Sequence, residues 1–280
     1  MKDKLVAIVT DKIIRSLEAG IAPWKKCWAS SRSKNLLTGK PYSGSNALFT
    51  HPMVTGFKEP GFLTYQQAKK MGGQVKRGSR GIPIIFYSPV ESKKTGEVYN
   101  LVKRATVFNI EQIDGIKFES VSREVTEDES DIAASEVVNR WEKKPSIDIG
   151  PHNPCYRPAL DTVYMPMIDS FTGNGEYHAA MFHELVHSTG HTSRLNRDMK
   201  PLMLDHHSYS KEELVAEIGA AFLCHHVGIE CVFENQVAYC KSWLSHLDGN
   251  REILLEAARD AHKAFSMIIG ETNVNLRQAK

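Results

Sequence analysis

The stretch from Met181 to His191 constrains this chain more than any other, because it contains the pattern His-Glu-x-x-His. Residues four apart share one face of a helix, so His183 and His187 can direct two imidazole nitrogens at one metal ion. Glu184 stands where the general base that takes a proton from the attacking water is usually found. Apolar neighbours predict a buried helix, in which an isolated carboxylate would be costly. The alternative is an amphipathic helix with two surface histidines.

A third ligand is predicted in the segment 209–222, where Glu213 and Glu217 are four residues apart. Two carboxylates on one apolar helix face repel each other unless a cation or a basic group lies beside them. Two histidines, one carboxylate and a position left for water form a common catalytic zinc site. We predict that Glu213 is the ligand and that Glu217 orients a ligating histidine, and the reverse order stays open. Ser210 is expected to cap this helix, with Glu213 as its partner in a capping box. In the alternative interpretation, Glu213 has only this capping role and binds no metal.

The residues after the motif argue against a site with three histidines. Gly190 matches the longer pattern HExxHxxGxxH, but Ser193 occupies the place of the third histidine. His191 comes two residues early, and we expect it to support a ligand from behind or to face solvent. Tyr164, His191 and Arg194 are candidates for the donor that stabilises an oxyanion. Zinc is the default ion for this ligand set, and manganese or cobalt could occupy the same site.

Charge divides the chain into two unlike parts. Residues 1–119 contain 20 Lys and Arg against 9 Asp and Glu, a balance of +11, and the remaining residues contain 15 against 24, a balance of −9. Such asymmetry predicts two domains with different partners. We expect a basic domain over 1–119, an acidic linker over 120–136 and a metal-binding domain over 137–280. Helices mixed with short strands make the expected fold class α+β.

The basic half is expected to bind nucleic acid, because lysines and arginines displace counterions from phosphates. Tryptophans interleaved with lysines, followed by a Gly/Pro turn with an aromatic side chain, could stack on bases while amines hold phosphates. A helix with a glycine stop and a basic turn is predicted over 62–81, before a hairpin with strands from 82 and from 97 to 108. Solvated surface charge and buried tryptophans are the alternatives. The candidate DNA contacts are Trp24, Lys25, Lys26, Trp28, Lys40, Tyr42, Lys69, Lys70, Lys76, Arg77 and Arg80.

Several further expectations come from periodicity and composition. We predict helices over 5–17, 132–141, 235–247 and 251–269, and strands over 146–150 and 162–165. Neither a signal peptide nor a run of about 18 apolar residues is visible. Five cysteines without CxxC spacing read as reduced thiols, so we expect a cytoplasmic protein with no membrane partner.

A set of characteristic strings lies at 22–24, 38–46, 64–68, 72–78 and 107–112 in the first half of the chain, and at 183–191, 194–197 and 213–221 in the second. Together, and in this order, these strings resemble those of the ArdC-type antirestriction proteins of mobile elements. Ser45 and Ser188 depart from the isoleucine and tryptophan common in relatives, and neither is a proposed ligand. The resemblance implies a single-stranded-DNA-binding domain followed by a zincin-like domain, on a protein that shields incoming DNA from restriction enzymes.

Two functions of different classes follow. In the first, a DNA-tethered zinc metallopeptidase binds single strands, better than duplex, and hydrolyses proteins nearby. In the second, a non-catalytic DNA-binding shield carries a structural or vestigial metal. A nuclease is disfavoured, because phosphodiester cutters often use paired metals held by carboxylates.

Overall fold

The computed structural model describes residues 32–91, 98–119, 125–197, 206–229 and 252–271. These residues form two compact units, one within 31–122 and the other within 123–280. Both units contain helices and strands, which confirms the α+β fold class. Among the described helices, none combines the length and apolar character that a bilayer-spanning segment needs. The helices expected over 5–17 and 235–247 lie outside the described residues, as do Trp24, Lys25, Lys26 and Trp28.

The first unit is organised around a four-stranded sheet. Its strands are β1 Lys34–Asn35, β2 Gly61–Thr64, β4 Ile82–Glu91 and β5 Val98–Asn109, and a two-stranded ribbon joins β3 Gln74–Val75 to β6 Ile113–Asp114. The order in the sheet is β1-β2-β5-β4, in which β1 pairs in parallel with β2, whereas β2 and β4 pair antiparallel to β5. The helices are α1 Ser45–Thr50, α2 Pro52–Thr55 and α3 Tyr65–Lys70. The predicted hairpin is confirmed as β4 and β5, and its tip at 92–97 lies outside the described residues.

Alternation along β2 builds two small cores, because successive strand residues point to opposite faces. Phe62 packs with Ile84 and Val107, whereas Leu63 packs with a separate cluster that includes Ala68 of α3. Residues 62–64, which were predicted to begin a helix, are therefore part of a strand, and the start of that prediction is wrong. Thr64 instead caps α3, since its hydroxyl accepts from the Gln67 amide while the Gln67 side chain accepts from the Thr64 amide.

In the part of the chain that the structure describes, the second unit contains four helices and a three-stranded sheet. The two expected strands are confirmed as β7 Ser146–Ile149 and β9 Thr162–Met165, which pair in parallel. The intervening β8 Cys155–Arg157 pairs antiparallel to β9 and was not predicted, because three residues are too few to show a period. The helices are α4 Glu127–Arg140, α5 Asn174–Ser188, α6 His206–Val227 and α7 Glu252–Ile268, and the last confirms the expected helix over 251–269.

The acidic segment predicted as a linker is helical from Glu127 onward, so the helix expected from Ile132 begins five residues earlier. Thr126 and Glu129 form a capping box at the start of α4, with nitrogen-to-oxygen distances of 3.1 and 3.3 Å. Carboxylates in a first helical turn interact favourably with the positive end of the helix dipole. The acidic run is thus a helix start, and the boundaries of the two domains stay a prediction.

A glycine sets the approach of α6 to α5. A Cβ added to Gly219 would lie 2.8 Å from Cγ1 of Val186, closer than real carbon contacts allow. The absence of a side chain therefore brings the two helices together along this line. Ser210 lies inside α6, which already includes His206, so the expectation that Ser210 caps the helix is wrong.

Candidate metal centre

The central helix of the site is α5, and most of its side chains are buried. Met181, Phe182, Leu185 and Val186 are each at most 4% exposed and hold the helix in the core. The helix ends at Ser188, where the Thr189 amide bonds back to carbonyls of the last turn. A 3.6-residue period then brings the two motif histidines onto the same side.

The ligand atoms predicted from sequence converge. The Nε2 atoms of His183 and His187 are 3.1 Å apart. The two carboxylate oxygens of Glu213 lie 3.5 Å from these nitrogens, one oxygen against each ring. Nitrogens bound to a tetrahedral zinc at about 2.0–2.1 Å are separated by about 3.3 Å, close to the observed spacing. The three side chains therefore fit a single ion, and in the described part of the chain this is the one such cluster.

Glu217 lies behind the cluster. Its Oε1 is 3.6 Å from Nδ1 of His183, on the side of the ring opposite Nε2. Its side chain is 10% exposed, and its Oε2 finds no hydrogen-bond partner among the described residues. This geometry favours the predicted order, with Glu213 towards the ion and Glu217 behind His183.

Glu212 was not predicted from sequence, although it contacts the second histidine. Its Oε1 lies 3.3 Å from Nδ1 of His187, and Arg197 donates to both of its oxygens at distances of 2.6 and 2.9 Å. Two features of the sequence could have pointed to this contact, namely the extra glutamate beside the predicted ligand and the arginine that ends the string at 194–197. Neither signal says which ring nitrogen a carboxylate will face.

Carboxylates dominate the electrostatics of the centre. Burial alone would lower the pKa of His183, but Glu213, Glu217 and Glu184 outweigh it and raise that pKa to about 10. The pKa of His187 is also raised, because Glu212 and nearby carboxylates overcome burial and the charge of His183. Burial raises the pKa of Glu217. Burial also opposes ionisation of Glu212, yet Arg197 and His187 leave its pKa below the usual value. Such a field favours positive charge, as a site for a cation requires.

The three candidate oxyanion donors differ in what they contact. All three side-chain nitrogens of Arg194 donate to protein acceptors, among them Asp161, Tyr156 and the Ser188 carbonyl, so Arg194 is not available for an oxyanion. The Tyr164 ring lies between His152, with centroids 5.0 Å apart, and the guanidinium of Arg157. His191 has its Nδ1 2.8 Å from the Ser193 hydroxyl, in the turn after α5. The role predicted for His191 stays a prediction.

The candidate DNA contacts of the first unit differ in their exposure. The exposed side chains are Lys40, Lys69, Lys70, Lys76, Arg77 and Arg80. Lys76 donates to the Glu111 carbonyl at 2.9 Å and lies 3.6 Å from Asp114. Tyr42 differs from the others, because its ring packs edge-on against Phe62 and its hydroxyl is buried. Burial raises the pKa of Tyr42 to about 12, and this position is unlike that of a base-stacking platform.

Sequence reasoning also missed an exposed aromatic beside cations. Phe86 on β4 is 41% exposed, and its cross-strand partner on β5 is Lys103. The adjacent pair joins Ile85 to Arg104, and both cations are exposed. The Asn46 side chain bonds to the backbone of Ile85 and fixes the strand at this point. The combination resembles surfaces that stack nucleobases.

The helix pair and its ligand cluster define a metallopeptidase-like domain, and residues 134–260 match the family model of zincin-like metallopeptidases. Residues 3–135 match the N-terminal domain of the anti-restriction factor ArdC. The crystal structure of the antirestriction ArdC protein from plasmid R388, in its metal-free form, is 32% identical, with a TM-score of 0.76 over 95% of this chain and 97% of that one. Its Mn(II)-bound form gives a TM-score of 0.75 with the same identity and coverage. The chain belongs to the ArdC antirestriction family.

Similar proteins also occur as parts of longer chains. Two DNA primases named TraC from Escherichia coli are 34% and 31% identical over 93% and 94% of this chain, which spans 26% and 20% of their lengths. An uncharacterised protein of Sinorhizobium fredii, y4eC, is 26% identical over 91% of this chain and 88% of its own length. The chain thus spans about a quarter or less of the TraC relatives.

Proposed function

We propose that this chain is an antirestriction protein that binds single-stranded DNA through its first unit and has a zinc-dependent peptidase site in its second. The observation that carries the peptidase assignment is the convergence of His183 Nε2, His187 Nε2 and Glu213 within 3.5 Å of one another. The negative surroundings of both imidazoles support a divalent cation there. The Mn(II)-bound structure of the R388 relative also supports a divalent cation at this position. Manganese or cobalt could replace zinc.

The roles of the side chains follow from their positions. A zinc ion in this centre would supply Lewis acidity, polarising a peptide carbonyl and easing the ionisation of water. His183 and His187 would bind through Nε2, and Glu213 through its carboxylate. Glu184, only 9% exposed, would accept the proton of the attacking water and deliver it to the leaving amine.

Three observations support DNA as the partner of the first unit. Residues 31–122 contain 14 Lys and Arg against 6 Asp and Glu, a charge balance of +8. Phe86 and its cross-strand neighbour Lys103 are both exposed, and stacking with phosphate contact needs that pair of side-chain types. The TraC relatives are named DNA primases, so a similar segment occurs in proteins that act on DNA.

The peptidase assignment is tested with Glu184→Gln in the full chain. Wild type and variant are loaded with zinc, their metal content is measured, and each is incubated with a peptide library whose cleavage is followed by mass spectrometry. We expect equal metal content and loss of cleavage in the variant, because the amide cannot accept the proton. Unchanged cleavage would contradict the assignment. If wild type cleaves nothing while both proteins protect single-stranded DNA from nuclease, the non-catalytic shield is the better description.

The DNA assignment is tested by fluorescence anisotropy with a labelled single-stranded oligonucleotide. Phe86→Ala should weaken binding by about 5- to 150-fold, since base stacking contributes about 1–3 kcal/mol. Ile149→Ala in the second unit is the control, because Ile149 is similarly exposed, at 52%. Equal affinities for the wild type and both variants would remove Phe86 from the DNA-binding surface.

A further inference from the structure

We propose that Arg197 is a positioning residue of the metal centre and acts through Glu212 to fix the His187 imidazole. The turn that follows α5 then helps to orient a metal ligand. This assignment depends on the metal site proposed above, and it adds two residues, one on the turn and one on α6, that the ligand set does not contain.

The first step is the contact between Glu212 and His187. The 3.3 Å separation of Glu212 Oε1 and His187 Nδ1 lets an N–H at Nδ1 donate to the carboxylate. The proton then resides on Nδ1, and Nε2 keeps its lone pair towards His183 and Glu213. A metal ligand needs that tautomer, and partners of this kind commonly hold ligating histidines in orientation.

The second step is the restraint on Glu212. Arg197 donates from Nε to Oε2 at 2.9 Å and from Nη2 to Oε1 at 2.6 Å, a two-pronged pair in which both side chains are 9% exposed. A planar guanidinium holds a carboxylate in both position and plane, which a lysine ammonium does not. The oxygen that faces His187 is thus fixed.

The third step is the anchoring of Arg197 to the end of α5. Its Nη2 donates to the Val186 carbonyl at 2.9 Å and its Nη1 to the Thr189 hydroxyl at 2.6 Å. Its own amide bonds to the Gly190 carbonyl at 3.0 Å, which closes the turn. Arg197 therefore ties Glu212 on α6 to the helix that carries His187, so that ligand and support move together.

The two histidines are supported unequally. His183 has Glu217 behind it at 3.6 Å, beyond hydrogen-bond distance, and Oε2 of Glu217 has no hydrogen-bond partner within the described ranges. His187 has a hydrogen-bonded carboxylate whose other contacts come from arginine. We therefore expect the orientation of His187 to respond to changes at residue 197.

The same turn supplies a matched control. Arg194 also donates to a carbonyl at the end of α5, that of Ser188 at 2.7 Å, and it also forms a two-pronged pair with a carboxylate, Asp161. That pair leads to the β8–β9 connection and not to a ligating histidine. Loss of Arg194 should therefore disturb the turn as much as loss of Arg197, without releasing His187.

The experiment compares Arg197→Gln, Arg194→Gln, Glu212→Gln and Glu212→Ala with the wild-type full chain. Zinc affinity is measured by competition with a chromophoric chelator, and the Co²⁺-substituted proteins give absorption spectra that report ligand geometry. Arg197→Gln and Glu212→Ala should weaken zinc binding about 10- to 100-fold and shift the Co²⁺ bands. Glu212→Gln should lie between, because its amide oxygen still accepts from Nδ1. Arg194→Gln should keep the wild-type spectrum and affinity.

Urea unfolding of the metal-free proteins checks that each variant is folded. If Arg197→Gln does not fold, Arg197→Lys replaces it, and we expect an intermediate affinity because the charge stays while the two-pronged contact is lost. Wild-type affinity and spectrum in the residue-197 variant would overturn the positioning role alone. Equal losses in the two arginine variants would also overturn it, in favour of general support of the turn. Absence of zinc binding by wild type would overturn the metal site itself.

Discussion

The metal centre of the second unit and the basic surface of the first differ in how their side chains are arranged. In the centre, the side chains of His183, His187 and Glu213 are at most 15% exposed and meet within 3.5 Å. On the basic surface, the exposed cations are Lys103 and Arg104 of β5, Lys69 and Lys70 of α3, and Lys76, Arg77 and Arg80 of the turn between β3 and β4. A metal ion is bound at short range by a few groups, whereas phosphates are bound by a summed field. Single substitutions should therefore have large effects in the centre and small ones on the surface.

The largest effect is expected for Glu213→Ala. Removing one of the three proposed ligands should lower metal affinity by more than the roughly 10- to 100-fold typical of a residue that only supports a ligand. Metal content after dialysis, measured by elemental analysis, checks this. Glu136→Ala is the control, because Glu136 pairs with Arg140 on the exposed face of α4. Full metal retention by Glu213→Ala would move the third ligand elsewhere, while DNA binding should be unchanged in both variants.

The next effect is the dependence of metal binding on pH. The pKa of His183 is raised to about 10 in the metal-free protein, so its ring is protonated at neutral pH and the ion must displace that proton. Affinity should therefore fall as pH decreases, by about tenfold per unit below that pKa for one displaced proton. Calorimetry in two buffers of different ionisation enthalpy counts the protons released. Release of less than half a proton at pH 7.5 would contradict the raised pKa.

A smaller effect is expected from Gly219→Ala, which tests how closely the two helices must approach. The new Cβ would meet Val186 at 2.8 Å, and overpacking of this kind costs about 1–3 kcal/mol, partly offset by the better helix propensity of alanine. We expect a lower free energy of unfolding in urea together with weaker metal binding.

The matched variant is Gly175→Ala in the first turn of α5, where the nearest atom, Cγ2 of Ile229, would be 3.4 Å away. This substitution should be neutral or stabilising. If both glycine variants behave alike, close approach at Gly219 does not set the geometry of the site.

The smallest effect is expected for single lysines of the basic surface. Lys69→Ala should weaken single-stranded DNA binding only a few-fold and reduce the salt slope by about 0.7, the contribution of one phosphate contact. Anisotropy titrations at several salt concentrations measure both quantities, and Lys144→Ala in the second unit is the control. Binding that does not depend on salt would contradict the phosphate-contact interpretation. If Lys69→Ala lowered DNA affinity as much as Glu213→Ala lowers metal affinity, DNA would bind at a discrete site. The two regions would then respond alike to single substitutions.

The sequence by itself determined the features that depend on neighbours along the chain. The spacing of His183 and His187 fixes a shared helix face, because a helix turns every 3.6 residues. Alternation and turn residues located β4 and β5, and the charge balance separated a basic from an acidic half. The helix was expected to begin at Ile132, but capping by Thr126 lets it begin at Glu127.

The tertiary structure decided which groups face each other across elements. Glu212, Glu213 and Glu217 all lie on α6, yet between them they approach all four ring nitrogens of His187 and His183. The helix period places these carboxylates only relative to each other. Their distances to the imidazoles depend on how closely α5 and α6 pack and on where the turn after α5 leaves Arg197. The packing of Tyr42 is a second example, since no local pattern reveals that its ring contacts Phe62. Packing across elements is set by the shapes of distant side chains, and a one-dimensional pattern does not contain them.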